Sequence, residues 1–292
     1  MVEQGGPNSR AAGALVYSHG GNAYTVGITG APGAGKSTLT DRLIGHGRSD
    51  SHRVAVLAID PSSPYSGGAI LGDRVRMTEH FLDPNVFIRS MATRGHLGGL
   101  ALAAPAAVRV LDAAGFPWVL LETVGVGQVE VEIAGAADTT VVVVNPGWGD
   151  SVQANKAGLM EIADIFVINK ADRKGVQDTR RDLEQMLELG DLAHEAWRPP
   201  ILAVVATERL GIEELWSTVL AHRAFIQDSG ELAHRREFRL REELREIVAR
   251  RLELRARELT TGDRWSQLQA EVLQRTIDPW SAADEMLGTV GA

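Results

Sequence analysis

Seven short runs of apolar residues recur along the chain, and each is rich in β-branched residues and nearly free of polar ones. They lie at 24–29, 54–59, 86–88, 118–121, 139–144, 165–168 and 201–205. Runs of this kind are typical of strands buried on both faces, as in a parallel sheet covered by helices. Helix-like stretches alternate with them, for instance at 100–114 and 178–189. The pattern predicts an α/β fold with a mostly parallel, doubly wound sheet.

The pattern changes beyond about residue 225, where the strand runs stop and Arg, Glu and Leu dominate. An apolar stripe follows one side of a long charged helix at Leu240, Leu244, Ile247, Val248 and Leu252. That stripe needs a partner, either the parent domain or the same stripe of a second subunit. A last helix is expected to begin at Pro279 behind a cap at Asp278.

Three regions follow from this pattern. Residues 1–22 mix Gly, Pro, Asn and Ser without a period, which predicts a flexible leader. Residues 23–226 form the α/β domain, and residues 227–292 form a C-terminal helical region.

Composition narrows the function. The chain has 292 residues and a net charge of −8, which disfavours binding to a nucleic-acid backbone. It has no cysteine, so disulfides, thiolate metal sites and thiol catalysis are excluded. No run reaches the roughly 18 apolar residues of a membrane span, and the first residues do not resemble a secretion signal. We expect a cytoplasmic protein that binds neither nucleic acid nor membrane.

The strongest motif lies at 30–37, which reads GAPGAGKS and matches the phosphate-binding pattern G-x-x-x-x-G-K-[ST]. It lies between a predicted buried strand and a helix that opens at Lys36. Its glycines let backbone N–H groups point at phosphates, and the helix N-terminus favours their negative charge. Lys36 is then expected to contact the β and γ phosphates, and the Ser37 hydroxyl to bind Mg²⁺.

A second motif, Asn169-Lys170-Ala171-Asp172, follows the run at 165–168 and predicts guanine recognition. The Asp172 carboxylate can accept hydrogen bonds from guanine N1–H and the 2-amino group, whereas adenine has no N1–H to donate. The Lys170 stem can lie against the base, and Asn169 can tie this loop to the phosphate loop.

Carboxylates end two other predicted strands. Glu122 opens Glu122-Thr123-Val124-Gly125, where most small GTPases have Asp in the pattern D-x-x-G. Glu can still hold the water shell of Mg²⁺, and the Gly125 amide can meet the γ phosphate. Asp60 ends the run at 54–59 and precedes a Pro-, Ser- and Gly-rich loop that reaches Asp73. An ordinary capping role remains open for both Asp residues.

Taken together, the strings GITGAPGAGKST, AIDPSSPYSGGAILGDRVRM, TRGHLGG, ETVGVGQVE, NPGWGDSVQANKAG, NKAD and DPWSAADEML resemble the methylmalonyl-CoA mutase-associated GTPases of the MeaB/ArgK type. The resemblance covers roughly residues 13 to 288. It implies a P-loop GTPase whose phosphate and Mg²⁺ site is formed by Lys36, Ser37, Asp60, Asp73 and Glu122. It also implies a C-terminal homodimerisation arm.

The resemblance further implies that the protein is a chaperone of an adenosylcobalamin-dependent acyl-CoA mutase, gating cofactor delivery and protecting the enzyme. The family usually has helices before the first strand, where only a short leader is expected here. The resemblance also gives the guanine loop as Val205-Ala206-Thr207, with contact through the Ala206 backbone N–H. The expected nucleotide-binding residues are therefore Gly33, Ala34, Gly35, Lys36, Ser37, Thr38, Gly125, Asn169, Lys170, Asp172 and Ala206.

Hydrolysis of GTP by this chain alone is expected to be slow. Ras-like enzymes orient the attacking water with a Gln four residues after the first motif residue, and that position is Val126 here. Polar groups that a partner could bring to the site are Gln128, Asp150, Gln153 and Lys156. An equal alternative is that Asp150 or Ser151 caps a helix that begins at Val152.

Two other functions share part of this pattern. Nickel-insertion GTPases have similar phosphate loops but typically carry Cys and His ligands, and this chain has no Cys and only scattered His. The other is a kinase associated with basic amino-acid transport, an older label for the family; phosphorylating a protein would need a base that activates the acceptor, and the sequence shows none that we can identify.

Overall fold

The computed structural model describes residues 7–49, 52–60, 77–80, 82–92, 99–123, 135–147, 162–189 and 196–288. All seven predicted strands are present in it. They are β1 (Tyr24–Gly30), β2 (Val54–Asp60), β3 (Val86–Ala92), β4 (Trp118–Thr123), β5 (Thr139–Val144), β6 (Ile165–Asn169) and β7 (Ile201–Val204). They form one sheet in the order β3-β2-β4-β1-β5-β6-β7, and every described pairing is parallel. The predicted fold class is confirmed.

In the described residues, helices precede, connect and follow these strands along the chain. They are α1 (Pro7–Tyr17), α2 (Lys36–Ser49), α3 (Gly99–Ala113), α4 (Val176–Leu189), α5 (Ile212–Asp228), α6 (Glu231–Leu259), α7 (Asp263–Leu273) and α8 (Pro279–Gly288). Short 3₁₀ turns lie at Thr78–His80 and Ala206–Glu208.

Both faces of the sheet are covered, as the unbroken apolar runs predict. On one face, Ile28 and Leu120 pack in a cluster with α2 and α5. On the other face, Leu57 and Leu121 pack with α3, and Phe166 packs with α4. Alternate residues of each strand supply the two faces, so neither face can take a polar residue without cost.

Strand β3 extends to Ala92, beyond the expected run at 86–88. It lies at the edge of the sheet, where a strand can contain polar residues that interrupt the apolar run. Phe87 is 41% exposed there, and Arg89 and Ser90 lie within the strand. An edge strand pairs on one side only and keeps a solvated side, so its sequence need not be continuously apolar.

Residues 7–17 form a helix, which corrects the expectation of a flexible leader over residues 1–22. Helix α1 packs with α3, and the Arg109 guanidinium of α3 lies 6.0 Å from the centre of the Tyr17 ring. Leu15 and Tyr17 are nevertheless 75% and 59% exposed, so α1 has no continuous apolar stripe that a periodicity search would detect.

The first part of α6 belongs to the α/β unit, which extends to Leu240, beyond the expected boundary at 226. Three arginines of α6 contact two buried carboxylates that precede β5 and β6. Arg236 donates to both oxygens of Asp138, at 2.7 and 3.1 Å, and Arg239 also donates to Asp138. Arg235 lies 3.0 Å from Asp164. These charge-assisted contacts explain why the boundary falls inside a helix.

Asp164 also joins a buried polar network inside the domain. His222 is fully buried; its Nε2 lies 3.2 Å from Asp164 Oδ1, and its Nδ1 lies 2.8 Å from the Thr139 hydroxyl. The Tyr24 hydroxyl lies 2.6 Å from the same Thr139 oxygen. His222 is thus a core residue that links α5 to the starts of β5 and β6.

The described residues from 241 to 288 form a second compact unit. Leu268, Ala282 and Met286 are buried in its small core. Asp278 accepts hydrogen bonds from the N–H groups of Trp280 and Ser281, at 3.0 and 3.1 Å, which confirms the predicted cap. Within the described residues, every helix is too short or too polar to cross a lipid bilayer.

Asp138 should be a large contributor to the stability of the α/β unit. Burial opposes its ionisation, but the hydrogen bonds from Arg236 and the charge of Arg239 outweigh burial and hold the pKa of Asp138 below its usual range. Asp138→Asn removes the charge and leaves two half-buried guanidinium groups without it. We expect the free energy of unfolding at pH 7 to fall by about 3 kcal/mol, measured by urea titration.

The control is Glu253→Gln, which breaks an exposed Arg257–Glu253 pair on α6 and should cost below about 1 kcal/mol. Because the native pKa of Asp138 is lowered, its stabilisation is present above the unfolded pKa and is lost as pH falls through the native value. The difference between wild type and Asp138→Asn should therefore shrink below about pH 4. Equal losses for Asp138→Asn and Glu253→Gln would contradict this account.

Candidate functional site

The glycine-rich loop at 30–37 connects the end of β1 to the start of α2 at the centre of the sheet. Gly30 has φ +128°, and a Cβ placed there would lie 2.0 Å from the Val143 carbonyl oxygen of β5. Gly33 and Gly35 also have positive φ, at +72° and +91°. The loop therefore adopts a backbone that other residues would strain, and it leads into the N-terminus of α2.

The Lys36 side chain lies inside this loop. Its ammonium group donates to the carbonyl oxygens of Gly30 and Ala31, at 2.6 and 2.9 Å, and the residue is 5% exposed. Buried ammonium groups need such partners. The charge is thus held at the loop, within reach of any anion that the loop amides bind.

Ser37 and Glu122 meet beside the loop. The Ser37 hydroxyl donates to a carboxylate oxygen of Glu122, which is buried at 5% exposure. Parallel pairing of β1 with β4 places Glu122 opposite Ile28, and so brings the end of β4 next to the loop. A hydroxyl and a carboxylate are hard oxygen donors of the kind that Mg²⁺ prefers, so this pair fits a magnesium ion.

Asp60 is the last residue of β2, and its neighbour Ile59 pairs with Thr123 of β4. The backbone of Asp60 therefore lies at the same edge of the sheet as Glu122. Parallel strands bring their carboxyl ends to one edge, which is where open α/β sheets bind ligands.

The Asn169 side chain joins three segments. Its amide nitrogen donates to the Ala34 carbonyl at 2.8 Å, and its oxygen accepts from the Ala206 N–H at 3.1 Å. Asn169 is 2% exposed. A Cβ on Gly35 would lie 2.4 Å from the same amide nitrogen, so the approach of Asn169 requires glycine there. The contact with Ala34 is the connection between the 169–172 loop and the phosphate loop that the sequence pattern predicts for Asn169.

Lys170 and Asp172 follow Asn169 in the chain. Lys170 has φ +59° and its ammonium donates to the Gly33 carbonyl at 2.6 Å. Asp172 is exposed to solvent beyond it, at the carboxyl end of β6. A carboxylate in that position is accessible to a ligand that spans from the phosphate loop to the end of β6.

The comparisons with known proteins agree with this geometry. A family model described as methylmalonyl Co-A mutase-associated GTPase MeaB matches residues 1–261. The chain belongs to this family. A protein of Pyrococcus abyssi is 53% identical over 274 residues, spanning 93% of this chain and 85% of that protein. The Escherichia coli GTPase ArgK is 40% identical over 219 residues, spanning 73% of this chain and 65% of that protein.

A solved structure described as an LAO/AO transport system kinase has the same fold. Its TM-score is 0.69 at 27% identity, and the match covers 96% of this chain and 85% of that one. The MeaB-family membership and the related GTPases show that this chain is a GTPase, an enzyme that hydrolyses GTP. The resemblance inferred from the sequence motifs is confirmed.

One predicted contact of this MeaB-family chain involves a group that has a partner inside the protein. The Ala206 N–H, which is expected to reach guanine, donates to the Asn169 side chain. Ala206 begins a 3₁₀ turn, Ala206–Glu208, and the first N–H groups of a helical turn have no partner within the turn. The next amide in the turn is that of Thr207.

Several predicted site residues lie outside the described part of the chain, so the structure places neither their backbones nor their side chains. They are Asp73, Gly125, Gln128, Asp150, Gln153 and Lys156. The side chain of Asp60 is likewise not described. The residues that the structure brings together at the loop are Gly33, Ala34, Gly35, Lys36, Ser37, Thr38, Glu122, Asn169 and Lys170.

The sequence motifs did not reveal Arg42 of α2. Its guanidinium contacts the carboxylates of Asp41 and Glu79, at 3.2 and 2.8 Å, and donates to the Ala206 carbonyl at 3.3 Å. Asp41, Glu79 and His80 offer ligand atoms within 4.8 Å of one another. We assign no metal to them because the carboxylates already have cationic partners: Arg42 contacts both of them, and Arg209 also contacts Glu79. No motif spacing points to Arg42, since two of its partners, Glu79 and Ala206, come from distant segments of the chain.

Proposed function

We propose that the site binds GTP and GDP with Mg²⁺ and that the protein is a chaperone of an adenosylcobalamin-dependent acyl-CoA mutase. The observation that carries the nucleotide assignment is the Asn169 side chain, which holds the phosphate loop and the 205–207 loop together. The support for the mutase is the description of the matching family, which names association with methylmalonyl-CoA mutase.

In the proposed binding mode, the amides of the phosphate loop and the N-terminus of α2 hold the phosphates. Lys36 exchanges its contacts with the Gly30 and Ala31 carbonyls for phosphate oxygens. Ser37 and Glu122 hold Mg²⁺, with Asp60 and Asp73 supplying further carboxylates to its water shell. When bound, the metal neutralises charge that develops on the phosphates during hydrolysis.

Guanine recognition is assigned to the edge formed by β6 and the Ala206–Glu208 turn. Asp172 accepts from N1–H and the 2-amino group, and the Lys170 stem lies against the base. Because the Ala206 N–H is held by Asn169, we assign the donor to the 6-oxo group of guanine to the Thr207 N–H.

In the proposed coupling, the bound mutase completes the hydrolytic site of this chain. Val126 has no polar group to orient water, so Gln128, Asp150, Gln153 and Lys156 are proposed to act when the mutase is bound. The proposed effect is that GTP hydrolysis gates the delivery of the cofactor to the mutase, and that the chaperone protects the mutase.

Homodimerisation is proposed for α6. Leu240, Leu244, Ile247, Val248 and Leu252 are all 38% to 63% exposed in the single chain. A continuous apolar stripe of this kind is expected to be covered by another surface in solution. A second copy of α6 supplies a matching stripe in a symmetric dimer.

Asp172→Asn should shift the base preference of the site from guanine towards xanthine. The amide replaces an acceptor of two guanine hydrogen bonds with a donor, so GTP affinity should fall about 10²-fold while xanthosine triphosphate, whose C2 bears a carbonyl, should bind better. Nucleotide titration measures both constants. The control is Asp178→Asn at the start of α4, where Asp178 is exposed, and unchanged GTP affinity in Asp172→Asn would reject the base-reading assignment.

Stimulation by the mutase should depend on the 150–156 segment. We expect low GTP turnover by the chain alone, faster turnover with the cognate adenosylcobalamin mutase, and loss of that increase in Asp150→Ala and Lys156→Ala at retained basal rate. Steady-state phosphate release with and without each candidate mutase measures this, and Arg181→Ala, at an exposed position of α4, is the control. Equal stimulation of wild type and both variants would exclude this segment as the coupling element.

Dimerisation should depend on the stripe. Leu244→Glu places a charge in its centre and should convert a dimer to a monomer in light scattering at tens of micromolar chain. Ala249→Glu adds the same charge to the other side of α6 and should leave the dimer intact. Point changes are preferable to truncation near residue 225, which would also remove Arg235, Arg236 and Arg239 from their carboxylates. A monomeric full-length chain would disprove the proposal.

A further inference from the structure

A closed ring of polar contacts surrounds the turn that begins at Ala206. Arg42 of α2 donates from Nε to the Ala206 carbonyl at 3.3 Å and from Nη1 to Glu79 at 2.8 Å. Arg209, at the end of the turn, donates to the same Glu79 oxygen at 3.2 Å, and its own N–H donates to the Ala206 carbonyl at 3.4 Å. The ring therefore connects α2, the Thr78–His80 turn and the 206–209 turn.

The environment of Arg42 favours a defined geometry. Its side chain is 17% exposed, and Asp41, whose side chain is 8% exposed, lies 3.2 Å away and offsets its charge. A partly buried guanidinium with carboxylate and carbonyl partners loses little by being held in one orientation, because its planar fork is already rigid.

The 206–209 turn depends on contacts from outside itself. Arg209 has φ +61°, a left-handed conformation that is unfavourable for a residue with a Cβ. Paired backbone hydrogen bonds between Val205 and Leu210, at 3.1 and 3.2 Å, close the turn at its base. Its tip is held by Arg42 and Glu79.

The Ala206 backbone is thus held from two sides. Asn169, on the sheet, accepts from its N–H, and Arg42, on the helix that follows the phosphate loop, donates to its carbonyl. These two contacts set the position of the next amide in the chain, that of Thr207.

We propose that Arg42 is a positioning residue for base recognition: by holding the Ala206 carbonyl and, through Glu79, the Arg209 side chain, it places the Thr207 N–H opposite the 6-oxo group of the purine. This inference rests on the proposed guanine-binding function. Arg42 does not touch the base in this arrangement, and acts only through the turn.

The test compares binding of GDP and of 6-thioguanosine diphosphate to full-length Arg42→Gln. The sulfur analogue keeps N1–H and the 2-amino group for Asp172 but replaces the 6-oxo group with a weak acceptor. We expect the dissociation constant for GDP to rise about tenfold, equivalent to about 1.4 kcal/mol, and that for the sulfur analogue to rise much less. The preference for GDP over the analogue should therefore fall towards one.

The matched control is Arg48→Gln. Arg48 is on the same helix, is 22% exposed in its side chain, and pairs with Asp83 at 2.7 Å and with the His52 carbonyl at 2.6 Å. It does not contact the 206–209 turn in the described contacts, so both dissociation constants should stay within about twofold of wild type. A general loss of stability would raise the two constants together and leave their ratio unchanged.

The outcomes separate the two proposals. An unchanged preference in Arg42→Gln overturns the positioning role, whereas a wild-type chain that fails to bind GDP overturns the proposed function itself. If circular dichroism shows that Arg42→Gln does not fold, Glu79→Gln decides. Because Glu79 is half exposed, the chain should fold with Gln at this position. A reduced preference for GDP over the sulfur analogue in Glu79→Gln supports the positioning role, and an unchanged preference overturns it.

Discussion

The amide side chain of Asn169 is the contact on which the arrangement of the site depends. It binds a carbonyl of the phosphate loop and an N–H of the 206–209 turn, two segments that are far apart in the chain. This is possible because β1, β5 and β6 are neighbours and run parallel, so that the loops after β1 and β6 emerge at one edge. A buried amide that satisfies both its donor and its acceptor in this way fixes the distance between the two loops. The glycine at position 35 is the steric counterpart of that approach.

The opposite edge of the sheet has a different chemistry. Asp138 and Asp164 precede β5 and β6, are almost fully buried, and contact arginines of α6. The segment around β6 therefore carries Asn169 of the candidate site at one end of the strand and, at the other end, Asp164, which contacts the first turns of α6. Burying a carboxylate without a partner costs free energy. This explains why α6, which is otherwise rich in exposed charge, contacts the domain through the arginines of its first turns.

A second set of contacts connects the helix after the phosphate loop to the guanine side of the site. Arg42 reaches the Ala206 carbonyl from α2, while Asn169 reaches the Ala206 N–H from β6. One peptide unit is thereby held between a helix and a strand that each carry part of the nucleotide site. In the proposed binding mode, base recognition therefore depends on the position of α2, even though Arg42 belongs to no recognised motif.

The sequence by itself determined the class of fold and the residue types of the site. Buried parallel strands need apolar residues on both faces, so all seven runs were readable, and GAPGAGKS, Asn169-Lys170-Ala171-Asp172 and Glu122 have spacings that few other sites share. Helix α1 was missed because its partly exposed apolar residues make no stripe, and β3 was cut short because an edge strand admits Arg89 and Ser90. Only the tertiary structure showed that Asn169 takes the N–H of Ala206, that Arg42 takes its carbonyl, and that α6 is fastened to Asp138 and Asp164. The physical reason is that these are single hydrogen bonds and ion pairs between distant segments. They depend on the order of the strands and the positions of the helices, so they produce no periodic pattern in the sequence.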